Sequence, residues 1–531
     1  MKKKSFALSW GRKMFFGLGW ALTSLMALNY LQSMIIPQTV VGWMYFLTTF
    51  VGHYGLLLSL VYFFIYYPVV YIFPSYYVSR IWSIILLLAV NAFIFFDSYL
   101  FTRYRFHINS FLWDFLQDKD ALSAFGFTPF KLGLIGFVTA ILFFVIWFRG
   151  EKLWRTMQGR FSNPVKNWYL VLIAICLMTS HLLHMYGDVK GARYITRLAQ
   201  IFPLHFPLTG KNIIKEQKVE LGPQSVTNQG YKDFFYPAKD LNCPMKQPKN
   251  ILMIVVDHWT AGEMNAEVTP NIFHFSTHGL VFDNHYSGGL NKNDGYFSLL
   301  YSLPPVYTDS VLNQSTTPVF LDQIKKSKID ATFFNTGAST PLTHYLPEEK
   351  EILTDYIESN LAERDDLAKT DPFLMHVFLG AGSLADKDIQ VKMIVDQFIK
   401  HKQSSNTIII LTGAYSESLK TPLVIIWPGK QPGTSSKLTT HYDVLPSLML
   451  EDWKCKNSPS DFSFGKNIFS KDEIDKYVAG TYKDLKIVDT TAGTITSINP
   501  KNGVEVSGND KRDVSAILDA LQNLTTFYKK R

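Results

Sequence analysis

The chain has 531 residues, 47% of them hydrophobic and 15% aromatic, with a formal net charge of +8. Mean hydropathy is slightly above zero, which excludes an ordinary soluble protein of this length. The basic clusters border the apolar runs, so they fit a membrane surface rather than nucleic acid.

Five apolar segments reach the roughly 20 residues that a bilayer core demands. They are about Phe15–Ile35, Phe46–Tyr67, Ile81–Phe101, Phe130–Phe148 and Trp168–Met185. The first is too long for a signal-peptide core and no small-residue cleavage site follows it, so it reads as a retained anchor. Lys2, Lys3, Lys4, Arg12 and Lys13 precede the first span. Arg80 precedes the third, and Arg149, Lys152, Arg155, Arg160 and Lys166 lie between the fourth and fifth. The positive-inside rule then places the N-terminus in the cytoplasm and everything after about residue 187 outside it. Trp154 and Met157 read as interfacial anchors. Asp97 and His181 sit near membrane depth, close to the outer ends of their spans. They read as interfacial polar residues, with an ion path as the alternative. Cys176 lies in an apolar run, and Cys243 and Cys455 are either a disulfide or two free thiols.

From residue 249 the pattern changes. Short apolar runs at 250–256, 331–335, 373–379, 406–412 and 422–427 predict buried strands, with helices near 317–327, 385–402 and 443–451. That alternation predicts an α/β layer with a largely parallel sheet. The tail from Lys476 to Val506 predicts a small antiparallel sheet, and a helix over about 511–528 closes the chain. Asp443 reads as a helix N-cap and Ser287 as a turn residue before Gly288 and Gly289. Asn523 heads a glycosylation sequon that reads as a chance match on a helix. The expected organisation is a five-helix membrane domain over 1–187, a basic linker over 188–248 and an α/β domain over 249–531.

"NILMIVVD", "HYSGG" with "YFSLLYSLPPVY", "TPLVIIWPG" and "HYDVLPSLML" together resemble the sulfatase/alkaline-phosphatase superfamily. "FTRYRFHINSFLWDFL", "SHLLHMYGD" and "FPLHFPLTGKNIIKE", joined to five spans, resemble the YejM (PbgA) family of Gram-negative inner-membrane proteins. The resemblance implies an inner-membrane anchor, a periplasmic domain and a role in sensing lipopolysaccharide and controlling lipid A synthesis, with the adaptor LapB as partner.

Active members of the superfamily place an acid after the first strand, a Thr, Ser or Cys nucleophile on the next Gly-rich loop, and Asp and His ligands near late strands. Divalent metal then activates the nucleophile. By that resemblance Asp257 matches the first acid. Asn291 stands at the nucleophile position, Ala414 and Tyr415 replace an Asp-His pair, and Ser418 replaces the last His. An Asn amide forms no covalent intermediate. The expectation is therefore a pseudoenzyme without cofactor or metal, with Asp257 either a vestigial ligand or a turn-capping carboxylate. A site rebuilt from His258, Asp294 and Asp257 is the sharper alternative. By function the alternatives are a metal-dependent lipid-headgroup phosphatase or phosphoethanolamine-type transferase, and a phospholipid or cardiolipin carrier.

The stretch Val189–Glu216 interleaves bases with apolar residues. It predicts a helix lying in the headgroup plane, ended by Pro203 and Pro207, with its apolar side chains in the acyl region. Arg193, Arg197, Leu208, Thr209, Gly210 and Lys211 are the expected lipid A contacts. Thr209, Gly210 and Lys211 would offer a hydroxyl, a backbone N–H and an ammonium to one phosphate. A basic collar on anionic phospholipid is the plainer reading. Where the family carries two consecutive Arg, this chain has Lys211 and Asn212, which implies weaker recognition.

Overall fold

A computed structural model describes residues 2–34, 36–117, 121–158, 168–210, 232–337, 349–350, 357–359, 361–362, 371–470, 477–480, 485–489, 494–499, 503–507 and 513–528. These fall into two units, 1–233 and 234–531. The stretch expected as a separate linker is thus divided between them.

Among the described residues of the first unit, five helices are long and apolar enough to cross a membrane: Lys3–Ser33, Val40–Ile72, Tyr76–Tyr104, Pro129–Gln158 and Trp168–Lys190. Local chemistry sets two of the starts. Thr39 and Ser75 cap the second and third spans by accepting from the N–H of Gly42 and Val78. Spans two and five approach closely at Gly52 and Gly55. A Cβ there would lie 2.8 Å from Leu177 N and 2.6 Å from Ile173. Asp97 is fully buried and accepts from Tyr30 Oη at 2.5 Å, Ile108 N at 2.7 Å and His107 Nδ1 at 2.6 Å. His107 in turn meets Gln200 O at 2.8 Å. Asp97 therefore joins the ends of spans one and three to the segment after span five. Arg80 is buried against Glu151 at 2.5 Å, which fastens span three to span four.

In the second unit the strands are β1 (Asn250–His258), β2 (Leu280–Phe282), β3 (His285–Tyr286), β4 (Asp330–Asn335), β5 (Glu349–Lys350), β6 (Phe373–Leu379), β7 (Thr407–Tyr415), β8 (Leu423–Ile426), β9 (Gly433–Ser435) and β10 (Thr439–Thr440). The main sheet runs β5-β4-β6-β1-β7-β8-β2-β9. β5, β4, β6, β1 and β7 are mutually parallel, and β8 is antiparallel to both its neighbours. The unbroken apolar run of β1 follows from burial on both faces. Ile251, Met253 and Val255 enter one core cluster, while Leu252, Ile254 and Val256 enter the other. Three helices matter below: α1 (Lys292–Tyr301), α2 (Leu384–Lys400) and α3 (His441–Glu451). β11 (Tyr477–Gly480), β12 (Leu485–Asp489), β13 (Thr494–Asn499) and β14 (Gly503–Ser507) form an antiparallel meander. The closing helix is Val514–Asn523, shorter than expected.

Two smaller expectations are resolved here. Cys243 and Cys455 are disulfide-bonded, and Cys176 is free. Asp443 is not the N-cap of α3. Thr440 holds that place, and Asp443 sits three residues on, accepting from Thr440 N at 2.6 Å and Thr440 Oγ1 at 2.9 Å. This is a capping box, with the acid as the returning partner.

Candidate functional site

Ligands of open α/β sheets gather outside the carboxyl ends of the strands, where chain direction switches sides. β1 lies between β6 and β7, so its last residues mark that crevice. Asp257 stands there. The turn Ser287–Asn291 brings α1 to the same edge. Ser287 is buried and donates to Gly289 O at 2.8 Å, as a turn residue should. Gly288 adopts φ +77°, a conformation that favours glycine. Gly295 is required by contact: a Cβ there would lie 1.9 Å from Ala414 O, so α1 rests directly on the end of β7.

Asn291, expected at the nucleophile position, is the N-cap of α1. Its Oδ1 accepts from Asp294 N at 3.0 Å and its Nδ2 donates to Asp294 Oδ2 at 2.7 Å. The amide serves helix initiation. Lys292 follows as the first helical residue, with Nζ 3.9 Å from Asp257 Oδ2 and 5.1 Å from the centre of the Phe378 ring. Lys387, in the first turns of α2, is 7% exposed. Burial lowers its ammonium pKa, the Asp257 charge opposes that shift, and the Lys292 charge adds to it. Asp257 Oδ1 is buried without a hydrogen-bond partner.

Ala414 is buried at the end of β7 and offers only its backbone. Burial pushes the Tyr415 phenol up, and the charges of Asp257 and Glu417 add to the shift. Ser418 Oγ lies 3.3 Å from Ser416 Oγ. His258 Nε2 pairs with Glu417 Oε2 at 2.7 Å, and Asp294 is engaged with Asn291. The alternative site of His258, Asp294 and Asp257 is therefore not assembled. Among the described residues no three His, Cys, Asp or Glu side chains are grouped to hold a metal.

Beneath this edge lies a polar chain that sequence reasoning missed. His285 Nδ1 is 3.0 Å from Thr439 Oγ1. His285 Nε2 is 2.9 Å from His441 Nδ1, and His441 Nε2 is 3.0 Å from Gly413 O. The carbonyl only accepts, so His441 must donate from Nε2. Its Nδ1 then accepts from His285 Nε2–H, and His285 Nδ1 accepts from the threonine hydroxyl. Every link is satisfied with both imidazoles neutral. Burial holds His441 down at about 4 and His285 well below the usual histidine value. Lys387 was missed for another reason. On an amphipathic helix a lysine reads as solvent-facing, and only the position of α2 beside β1 buries it.

The expected lipid contacts lie in the other unit, where the geometry corrects several of them. The helix after span five is Arg193–Ala199 and ends before Pro203. Its apolar side chains do not face outward. Ile195, Leu198, Ile201 and Phe202 are buried against the spans. Arg193 and Arg197 both pair with the buried Asp233, at 2.7 and 2.9 Å. The Gly210 N–H is taken by Asp188 Oδ2 at 2.8 Å, so it does not join a phosphate cradle. Lys211 lies outside the described residues. Histidines of the spans hold the segment between: His53 Nε2 is 2.6 Å from Pro203 O, His181 Nδ1 is 3.1 Å from Leu208 N, and His184 Nδ1 is 2.9 Å from Leu208 O. His181 thus has a structural task. Leu204, Phe206, Leu208 and Thr209 are exposed, Phe206 by 84%.

A domain of unknown function (DUF3413) matches residues 1–247. Two proteins named Inner membrane protein YejM, from Salmonella typhi and Salmonella typhimurium, are each 23% identical over all of this chain and 98% of their own length. An uncharacterized protein of Haemophilus influenzae is 23% identical over 93% of this chain and 92% of its own. Among solved structures, the second unit is similar to a protein of the alkaline phosphatase superfamily from Vibrio parahaemolyticus. The TM-score is 0.45 at 15% identity, over 57% of this chain and 92% of that one. The lipoteichoic acid synthase LtaP of Listeria monocytogenes gives 0.40 at 12%, over 54% and 92%.

Proposed function

From a chain related over its full length to the YejM inner-membrane proteins, we propose a non-catalytic, multi-pass regulator of lipid A synthesis and outer-membrane lipid balance. In this reading the N-terminus is cytoplasmic and the α/β unit periplasmic. Lipid A, or another anionic lipid, is met at the outer leaflet by the segment from Leu204 onward, whose Leu204, Phe206, Leu208 and Thr209 are exposed, and a LapB-type adaptor reads the spans. Phe206 and Leu208 would enter the acyl region, with Thr209 and Lys211 at phosphate level. Arg193 and Arg197 act through Asp233 by holding the segment's base.

The observation that carries the non-catalytic reading is Asn291. A side chain whose oxygen and nitrogen are both spent on Asp294 is a helix cap, and it offers no nucleophile to a phosphate or sulfate ester. Lys292 stands beside Asp257, where carboxylate and imidazole ligands would be needed. The test is complementation of a deletion strain, read as lipid A content. Asn291→Ala and Asp257→Ala should restore control as well as the unaltered chain. Phe206→Asp should not. A purified chain that turns over a phosphate ester with divalent metal, and loses turnover in Asp257→Ala, overturns the reading.

A further inference from the structure

We propose that one proton, held by His107 between Asp97 and Gln200, fastens the segment after span five to span three, so that the attachment holds while the proton is bound and opens as pH rises. The geometry fixes the proton count. His107 Nδ1 faces Asp97 Oδ2 at 2.6 Å, and His107 Nε2 faces Gln200 O at 2.8 Å. A carbonyl only accepts, and so does a carboxylate. A neutral imidazole has one N–H and satisfies only one of the two. Both contacts therefore need a second proton, carried by the ring as an imidazolium or by the carboxyl group as an acid. Tyr30 Oη at 2.5 Å and Ile108 N at 2.7 Å donate to the same carboxyl group, as they would to an anion, so the ring is the carrier. The Phe101 ring, stacked on His107 with centroids 4.6 Å apart and planes 13° from parallel, fixes its plane.

Loss of the proton breaks one particular bond. A neutral His107 keeps its N–H on the charged acceptor, Asp97, because that bond is the stronger. Nε2 then turns a lone pair toward the lone pairs of Gln200 O. Gln200 caps the end of the helix Arg193–Ala199 and precedes Ile201 and Phe202, whose own amide bonds are long, at 3.2 and 3.4 Å. A released carbonyl thus loosens the residues that lead into the exposed Leu204 and Phe206. The other titratable or charged groups around the ring are Tyr30 on span one, His53 and Tyr54 on span two, Arg105 on the same turn and Arg197 beside Gln200. Arg105 donates to Ser33 O at 2.6 Å and Arg197 pairs with Asp233. Asp97 is the carboxylate paired with His107 among the described residues. Any effect on lipid rests on the proposed function, whereas the proton and the attachment are read without lipid A, so the two fail separately.

The experiment uses the full chain in phosphatidylcholine nanodiscs, read by nitrogen NMR of labelled histidine and by hydrogen exchange. At pH 6 the His107 signals, assigned by their loss in His107→Phe, should show both ring nitrogens protonated. From pH 6 to 9 exchange of the Ile201 and Phe202 amides, corrected for intrinsic rates, should quicken about tenfold, the scale of one charge-assisted hydrogen bond. Asp97→Asn is the decisive variant. Its amide nitrogen, in the place of Oδ2, donates to Nδ1 of a neutral His107 and to Tyr30 Oη, while its oxygen accepts from Ile108 N. The Nε2–H of His107 then stays on Gln200 O throughout. Exchange in this variant should be independent of pH and slow, as in the wild type at pH 6. His107→Phe lacks both bonds, so its exchange should be independent of pH and fast. A neutral His107 in the wild type at pH 6 overturns the proposal, whether or not the variants fold. So does wild-type exchange that is flat from pH 6 to 9, or an Asp97→Asn variant that keeps the wild-type pH dependence.

Discussion

Lowering the pH from 7 to 5 should weaken the α/β unit by about 6 kcal/mol, through His285, His376 and His441. All three are buried. Burial holds His376 at about 3 and His441 at about 4, and His285 well below its ordinary value. An unfolded histidine titrates near 6.5. Below that value the unfolded chain takes up protons that the native state refuses, so the stability contributed by the neutral forms is complete above about 6.5 and falls as pH falls toward the native values. Each group that stays neutral at pH 5 forfeits about 2 kcal/mol by then, and three forfeit about 6. The pair reinforces this, because protonating His441 would turn its Nδ1 donor toward the donor on His285. Asp452 works the other way. Burial raises its carboxyl, so its protonation on acidification favours the fold. Hydrogen exchange of the β7 amides in the full chain, corrected for intrinsic rates, reads the opening free energy at each pH. His376→Phe should remove about one third of the slope. An opening free energy that is flat from pH 7 to 5, or a slope unchanged in His376→Phe, would refute the assignment of neutral buried histidines.

Two further outcomes follow from packing and covalent linkage. Gly295→Val should unseat α1 from β7, because its Cβ would enter the Ala414 carbonyl at 1.9 Å. Backbone must move on both sides, so a loss of at least about 3 kcal/mol is expected, seen as a lower melting temperature and faster exchange in β7. Cys243→Ser with Cys455→Ser opens a loop of sequence separation 212. Loop-closure entropy sets the loss at up to about 5 kcal/mol, and reductant should destabilise the wild type but leave the double variant unchanged.

The architecture was legible because its main signals are local. β6 occupies Phe373–Leu379 as its apolar run predicts, and β1 extends the run at 250–256 by two residues. The five spans needed only length and hydropathy. What escaped was set by distance or by the reuse of one residue type. His285 and His441 are separated by 156 positions, and neither carries a local pattern that announces the other. Asp443 looked like a cap because an acid opens many helices, yet Thr440 had the better geometry. The bases after span five were read as facing lipid. Asp233, forty residues from Arg193, draws two of them inward instead. Asn291 was matched by resemblance to the nucleophile position, and its task as the cap of α1 is visible only once Asp294 folds back onto it.

The segment from Pro203 to Gly210 has no repeating backbone pairing of its own. Its polar groups are met one by one by His53, His181, His184 and Asp188. Such a segment tolerates exchange of its outward side chains, Leu204 and Phe206 among them, but not a change in the number of residues. One residue inserted or deleted displaces the following backbone by about 3.3 Å and puts each carbonyl or amide out of reach of the side chain that meets it. The reading frame of contacts here is as strict as the register of a strand, although no strand is present. Variation along this stretch should therefore appear as substitution at fixed length.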